Sequence, residues 1–228
     1  MTGHSRADRE RCFSWRENNE PAASRVVSAG EPVKEWAKPN VGRSYPVRVP
    51  QTSDEFASGT LGLQWQWHAN PREAWYSLAA APGMLRLNAV QTLTQNGNLW
   101  FVPNLLLQKF PAPSFTATTK IVFHPQLVGE KSGLVVMGRT WGFIALTKTA
   151  AGLQVGMYTG TYGRGTDATR LITSVDVSGD SCYLEVDVAE GRVSTFSYSL
   201  DGRSYRPLGD RFRRRRARGS APRWGYSP

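Results

Sequence analysis

The side chains best suited to chemistry lie in one short stretch, residues 61–71, which reads LGLQWQWHANP. It alternates two tryptophans with three polar residues, namely Trp65 and Trp67 with Gln64, Gln66 and His68. Indole rings stack on flat C–H faces, and amide and imidazole groups make directed hydrogen bonds. The stretch therefore predicts a site for a ligand such as a sugar ring, on one side of the segment or the other.

The orientation of this segment decides which side binds. A period of two indicates a β-strand, so the tryptophans point to one face and the polar residues to the other. Each buried amide without a partner would cost about 1–3 kcal/mol, which disfavours burying the polar face. We expect Trp65 and Trp67 in a core between two sheets. The three polar residues then lie on an outer face, where they either hydrogen-bond sugar hydroxyls or are only solvated.

Further residues could extend such a site. Five carry aromatic, amide or guanidinium groups: Asn70, Trp75, Gln108, Arg139 and Trp141. These groups stack on or hydrogen-bond to sugars, although the two tryptophans could equally be core residues. Asp54 is the single nominated ligand for a structural calcium ion, because a carboxylate can join backbone carbonyls around a hard cation. The alternative for Asp54 is a capped turn, and no other cofactor is expected.

Catalytic motifs are missing from the sequence. The three histidines have no HExxH-type neighbours, and neither a GxSxG motif nor a phosphate loop occurs. Glu185 and Asp187 would share one strand face about 6.5–7 Å apart, and a glycosidase needs two carboxylates flanking a cleft. Surface acids on strands are far commoner than catalytic pairs, so no catalytic residue is assigned.

The positive charge is concentrated at one end of the chain. The formal net charge is +10 and the sequence pI is about 10.0. Residues 211–228 hold seven arginines and no acid, which leaves +3 for all the rest. The body is thus nearly neutral, and a nucleic-acid partner, which would bind through this tail, is not expected.

The cysteines and the hydropathy pattern indicate where in the cell the protein is expected. Cys12 and Cys182 are far apart and lack a CxxC spacing, so free thiols are expected. No apolar run has the length of a signal peptide or of a spanning helix. The expectation is a soluble, cytoplasmic chain without a membrane partner.

Composition divides the chain into four segments: a disordered lead-in (1–30), a Pro-rich linker (31–53), a β-domain (54–212) and a basic disordered tail (213–228). The β-domain consists of short runs rich in Val, Ile, Thr and aromatics, bounded by Gly, Pro, Asn or Asp. Runs such as 99–101, 114–123 and 181–188 predict strands, the last two with clear alternation, and no helix of three turns is expected. The prediction is an all-β sandwich or jelly roll.

Several long motifs in order carry a family resemblance. They are GEPVKEWAKPNVG, LGLQWQWHANP, LWFVPNLLLQKFPAPSFTATTKIVF, EKSGLVVMGRTWGFIAL and FSYSLDGRSYRPLGDRF. From about Gly30 to Phe212 the chain resembles the C-terminal concanavalin A-like domain of glycoside hydrolase family 43 β-xylosidases, which is also classed as carbohydrate-binding module family 91.

The resemblance implies a concanavalin A-like β-sandwich that packs beside a five-bladed catalytic propeller, which these residues do not include. The implied role is a noncatalytic accessory domain of a xylan-degrading enzyme, a fragment inactive alone, with xylan or xylo-oligosaccharide as partner. Family members continue past the motif PLG..F with further β-segments, whereas the arginine run stands there in this chain, so a truncated sandwich is expected. The alternatives are an active glycosidase with carboxylates in the sandwich, and a basic-tail nucleic-acid binder.

Overall fold

The structure, a computed structural model, describes mainly the part of the chain that follows the linker, with a few linker residues. The described residues are 40, 42–43, 46, 49–91, 97–162, 169–213 and, for the backbone, 223–227. The chain divides into two units, Met1–Val49 and Pro50–Pro228. The expected lead-in and most of the expected linker lie outside the described residues. No helix among the described residues is long and apolar enough to cross a membrane.

The regular elements of the second unit are almost all strands, which confirms the all-β prediction. Its strands are β1 (Trp65–Trp67), β2 (Tyr76–Ser77), β3 (Arg86–Leu87), β4 (Leu106–Lys109), β5 (Phe115–Val122), β6 (Lys131–Met137), β7 (Thr140–Lys148), β8 (Leu153–Thr161), β9 (Arg170–Val177), β10 (Ser181–Ala189), β11 (Val193–Ser199), β12 (Arg206–Pro207), β13 (Phe212–Arg213) and β14 (Arg223–Ser227). Within the described residues the helical turns are two 3₁₀ helices, η1 (Glu73–Trp75) and η2 (Leu99–Phe101).

The strands form two main antiparallel sheets. The seven-stranded sheet has the order β1-β4-β14-β6-β7-β8-β9. The five-stranded sheet has the order β12-β11-β10-β5, and β13 also pairs with β11. A small ribbon of β2 and β3 stands apart. Among the described strands, six pairings join consecutive strands. Five join strands that are not consecutive, so both main sheets combine hairpins with pairings between distant strands.

The core between the two sheets follows from alternation along the strands. On β10, Leu184 and Val186 are fully buried, whereas Asp187 is exposed. They join one apolar cluster with Leu134 and Ile144 of the seven-stranded sheet. Each fully buried side chain of this size contributes about 1.5–3 kcal/mol. This shared cluster is what makes the two sheets a sandwich.

The seven-stranded sheet carries a second apolar cluster on its outer face. On β7, Ile144 points into the inter-sheet core, while Trp141 and Phe143 belong to the other cluster. Leu99 of η2 and Val102 after it are buried in that same cluster. The segment around η2 therefore covers the outer face, which a half-solvated sheet would leave polar.

Glycines in β8 give the aromatic rings of this outer cluster room to lie flat. A Cβ at Gly160, which pairs with Trp141, would overlap the indole ring. A Cβ at Gly156 would come within 2.7 Å of the Tyr158 ring. Tyr158 in turn stacks on Phe143, with ring centroids 4.7 Å apart and an interplanar angle of 9°. Larger residues at these two glycines would displace the rings.

Residues 99–101 form η2 instead of the predicted strand. The Asn98 side chain accepts a hydrogen bond from the Trp100 backbone N–H at 3.0 Å, which caps the turn. A short apolar run of three residues does not distinguish strand from helical turn, and here the capping residue decides.

The C-terminal end differs most from expectation. Residues 223–227, predicted to be part of an unstructured tail, form β14. This strand pairs with β4 on one side and with β6 on the other, so it lies inside the larger sheet. A truncated sandwich is expected from the sequence, whereas β14 supplies a strand beyond the arginine run. Residues 214–222 lie outside the described residues.

Removing residues 223–228 should therefore abolish or strongly weaken cooperative unfolding. Both β4 and β6 would lose a partner, leaving backbone N–H and C=O groups unpaired beside the core. Urea denaturation followed by circular dichroism measures the effect. A matched control, replacement of Arg214, Arg215 and Arg216 by serine, removes charge but keeps the strand and should leave the unfolding midpoint nearly unchanged. An unaltered midpoint in the truncated chain would contradict this role of β14.

The thiol of Cys182 should be unreactive in the folded protein. Its side chain is fully buried, and burial raises the pKa of the thiol to about 11. Because the thiolate is the reactive form, a Cys12→Ser variant should not react with an aromatic disulfide reagent at pH 8 until guanidinium unfolds it. Rapid labelling of the native variant would show that the strand β10 opens.

Candidate functional site

The strand β1 places its tryptophans toward the interior, as predicted. Trp65 is 9% exposed and belongs to the inter-sheet core. Its indole Nε1 donates to Asp54 Oδ2 at 2.8 Å, and the Phe56 ring stacks on it at 5.7 Å. Trp67 is half-buried and packs against Trp75, with ring centroids 5.5 Å apart. The indoles of β1 are therefore structural and are not a ligand platform.

Asp54 is occupied by protein donors. Its Oδ1 accepts from the Phe56 backbone N–H at 2.9 Å, and its Oδ2 accepts from Gln64 Nε2 at 3.2 Å as well as from Trp65. A cation here would have to replace N–H groups aimed at both oxygens. Among the described residues, no group of three or more His, Cys, Asp or Glu side chains could hold a metal ion. In this arrangement Asp54 caps a turn and orients Trp65, and a structural calcium ion at Asp54 stays a prediction.

The three polar residues of the stretch have three different environments. Gln64 precedes β1, and its amide donates to Asp54. Gln66 is exposed opposite Leu107 of β4, on the outer face of the seven-stranded sheet. His68 Nε2 lies 3.0 Å from the Trp100 carbonyl oxygen, and its Nδ1 is buried without a hydrogen-bond partner. Gln66 is thus the member of the trio with a free, exposed amide face.

Three other candidates are buried. Trp141 is 0% exposed, Gln108 is 3% exposed and Trp75 is 6% exposed. Gln108 pairs with Trp65, so it faces the inter-sheet side of β4. Trp141 Nε1 donates to Thr169 Oγ1 at 3.2 Å. Side chains so enclosed pack in the interior and offer little surface to a ligand, and a sugar contact of these three stays a prediction.

The two remaining candidates, Asn70 and Arg139, are exposed. Asn70 lies just after β1. Arg139 lies in the turn between β6 and β7, and its carbonyl oxygen accepts from the Tyr162 backbone N–H at 2.7 Å. This bond ties the turn to Tyr162, which directly follows β8.

An aromatic rim brings His68, a candidate from the sequence, together with Trp100, Phe101 and Tyr162, which the sequence did not single out. The Trp100 and Tyr162 rings lie 4.8 Å apart, and Phe101 meets Tyr162 edge-on at 6.1 Å. The His68 ring meets Trp100 edge-on at 6.2 Å. Phe101 is 54% exposed and Tyr162 is 37% exposed. The rim is a connected set of rings with accessible faces.

The position of the rim follows from the local sequence of η2. Leu99 and Val102 flank the two aromatic residues and are buried in the outer-face cluster. With these two anchored, Trp100 remains half-buried and Phe101 is exposed. The order apolar, aromatic, aromatic, apolar after a capping Asn98 was the available signal, but it also suits a strand.

The carboxylate pair lies on the other sheet. Glu185 pairs with Thr118 and Ser197, and Asp187 pairs with Thr116 and Thr195, so both face away from the core on the five-stranded sheet. Partial burial, and to a lesser degree the charge of Asp187, raise the pKa of Glu185. The pair stands on a polar sheet face, opposite the aromatic rim across the sandwich.

Comparison with known proteins gives a consistent picture. The family model of the β-xylosidase C-terminal concanavalin A-like domain matches residues 53–219. The chain is 28% identical over 201 residues to a β-xylosidase of Formosa agariphila, covering 80% of this chain and 32% of that protein. It is 28% identical over 186 residues to a putative β-xylosidase of Xylanibacter ruminicola, covering 80% of this chain and 31% of that protein.

Solved structures show the same fold. A bifunctional GH43-CE protein of Bacteroides eggerthii superposes with a TM-score of 0.69 at 22% identity, over 76% of this chain and 23% of that one. The chain spans about a third of the length of the curated relatives it matches.

Substitutions in β1 should show which of its side chains stabilise the fold. Trp65→Ala should cost about 3–5 kcal/mol of unfolding free energy, because it empties a core position and leaves Asp54 without its indole donor. Gln66→Ala, its exposed neighbour, should change stability by less than about 0.5 kcal/mol. Chemical denaturation of both variants measures this. Equal stabilities would mean that the indole is not part of the core.

Proposed function

Because the chain belongs to the family of β-xylosidase C-terminal concanavalin A-like domains, we propose that it is a noncatalytic accessory domain that binds xylo-oligosaccharides at the aromatic rim. In the parent enzyme it would pack beside a family 43 catalytic propeller. The relatives that share this domain are about three times as long, which leaves room for such a partner.

The accessible rings of the rim carry this proposal. Exposed aromatic faces attract the C–H faces of sugars, and Phe101 and Tyr162 are more than a third exposed. Their neighbours hold them in place, since Tyr162 contacts both Trp100 and Phe101. Rigid rings lose little conformational entropy on binding, which favours even a small ligand.

Polar groups near the rim supply the hydrogen bonds that a sugar needs. Gln66 is exposed on the outer face of the seven-stranded sheet, the face that carries the rim. Both ring nitrogens of His68 are enclosed, Nε2 at 3.0 Å from the Trp100 carbonyl oxygen and Nδ1 buried, so His68 would contribute its ring and not a hydrogen bond. Gln66 exposes an amide with both donor and acceptor, and Arg139 lies in the turn tied to Tyr162. Few stacking rings and exposed polar groups support weak binding, with a Kd of about 0.1–10 mM.

The carboxylates support a noncatalytic role. A glycosidase places two carboxyl groups on either side of the scissile bond. Glu185 and Asp187 instead lie side by side along one strand, and Asp187 is exposed. The chemistry would therefore reside in the partner domain, and this chain would hold substrate near it.

Tyr162→Ala should weaken xylotriose binding about five- to tenfold, because one accessible stacking ring is lost. Phe101→Ala should have a similar effect, and Gln66→Ala a smaller one. Titrations followed by NMR chemical shifts give the Kd. Tyr205→Ala, which removes a half-buried ring of the opposite side of the sandwich, is the matched control and should bind as the unmodified chain does.

Two outcomes would contradict the proposal. Unchanged affinity in both ring variants would place any sugar site elsewhere. Binding that collapses between low and physiological salt would indicate charge contacts of the kind that nucleic acids make through arginines.

A further inference from the structure

A cavity of about 290 Å³, largely open to solvent, lies in the segment around η1 and β2, and none of the aromatic rim residues lines it. Its walls are formed by Gly59, Glu73, Tyr76, Ser77, Leu78 and Ala79. Small-molecule sites begin at about 300 Å³, so the space suits a single sugar unit and not a chain.

Tyr76 lines the cavity, and its ring is held by the core. The Tyr76 ring packs against Trp67 at 5.3 Å, and Trp67 packs against Trp75. The backbone of Tyr76 pairs with Leu87 in the β2–β3 ribbon. Asn88 secures η1, donating from Nδ2 to the Ala74 carbonyl oxygen at 2.8 Å. The ring is therefore preorganised and needs no ordering when a ligand arrives.

The polar lining offers one donor and one acceptor. Ser77 Oγ accepts from the backbone N–H groups of Ala79 and Ala80, at 3.3 and 3.1 Å. Its own hydroxyl hydrogen is left to donate. Glu73 brings a carboxylate, which accepts two hydroxyl groups at once. A fixed ring with a hydroxyl donor and a carboxylate acceptor is chemistry that recognises a polyhydroxylated ring.

Gly59 lines the cavity and has room for a side chain. A Cβ built on this glycine would meet no atom within 4 Å, and its backbone is not in the left-handed region. A larger side chain is therefore sterically allowed there and would project into open space beside the cavity.

We propose that this cavity is a second saccharide subsite that holds one neutral sugar unit, separate from the aromatic rim. The ligand class rests on the proposed function, whereas the location rests on the cavity alone. Tyr76 would stack on the C–H face of the sugar, Ser77 would donate to a ring or hydroxyl oxygen, and Glu73 would accept from hydroxyl groups.

The test is an NMR titration of the full chain with D-xylose and with xylotriose. Backbone amide shifts of Ser77 and Ala79 report on the cavity, and those of Phe101 and Tyr162 report on the rim. Gly59→Trp should weaken binding at the cavity at least tenfold and leave the rim titration unchanged. Ala151→Trp, which adds the same ring at an exposed turn, is the control and should alter neither site.

A second variant keeps the test decisive if the added indole disturbs folding. Glu73→Gln should weaken binding at the cavity several-fold, whereas Glu55→Gln, at an exposed carboxylate outside the lining, should have no effect. Cavity shifts that do not saturate with either sugar, or that appear only with a cationic amine such as ethanolamine, would overturn this proposal. Loss of the rim titration alone would instead overturn the proposed function.

Discussion

The burial of β7 on both faces is the constraint on which the rest of the structure depends. Ile144 and Trp141 are both fully buried, yet they belong to clusters on opposite faces of the sheet. One face is covered by the five-stranded sheet. The other needs a cover of its own, because exposed apolar area of this extent is unfavourable in water. The segment around η2 provides it through Leu99 and Val102.

This cover explains where the accessible aromatic residues lie. A segment that buries its flanking apolar residues in a sheet face presents the intervening ones outward, as Trp100 and Phe101 show. The ends of β1 and β8 then meet the same segment through His68 and Tyr162. A packing requirement thus produces a rigid set of rings, and binding can use them at little entropic cost.

At the edge of the sandwich near β1, side chains packed in the core again hold in place a ring that lies outside it. Asp54 fixes Trp65 in the core, while Trp67, on the same face, supports the ring of Tyr76 outside it. Indoles that look like ligand platforms in the sequence therefore act as supports for other rings. In this family domain the sheets supply rigidity, and the connecting segments carry the groups that can contact a ligand.

The sequence by itself determined the features that local alternation reports: the inward faces of β5 and β10, the core position of Trp65 and the exposed position of Gln66. Tertiary structure alone decided the rest. The engagement of Gln64 by Asp54, the burial of Trp141 and Gln108, and the insertion of β14 between β4 and β6 all depend on partners distant in sequence. Alternation shows that a strand has two faces, but only the assembled sheets determine whether the second face meets solvent or another apolar layer.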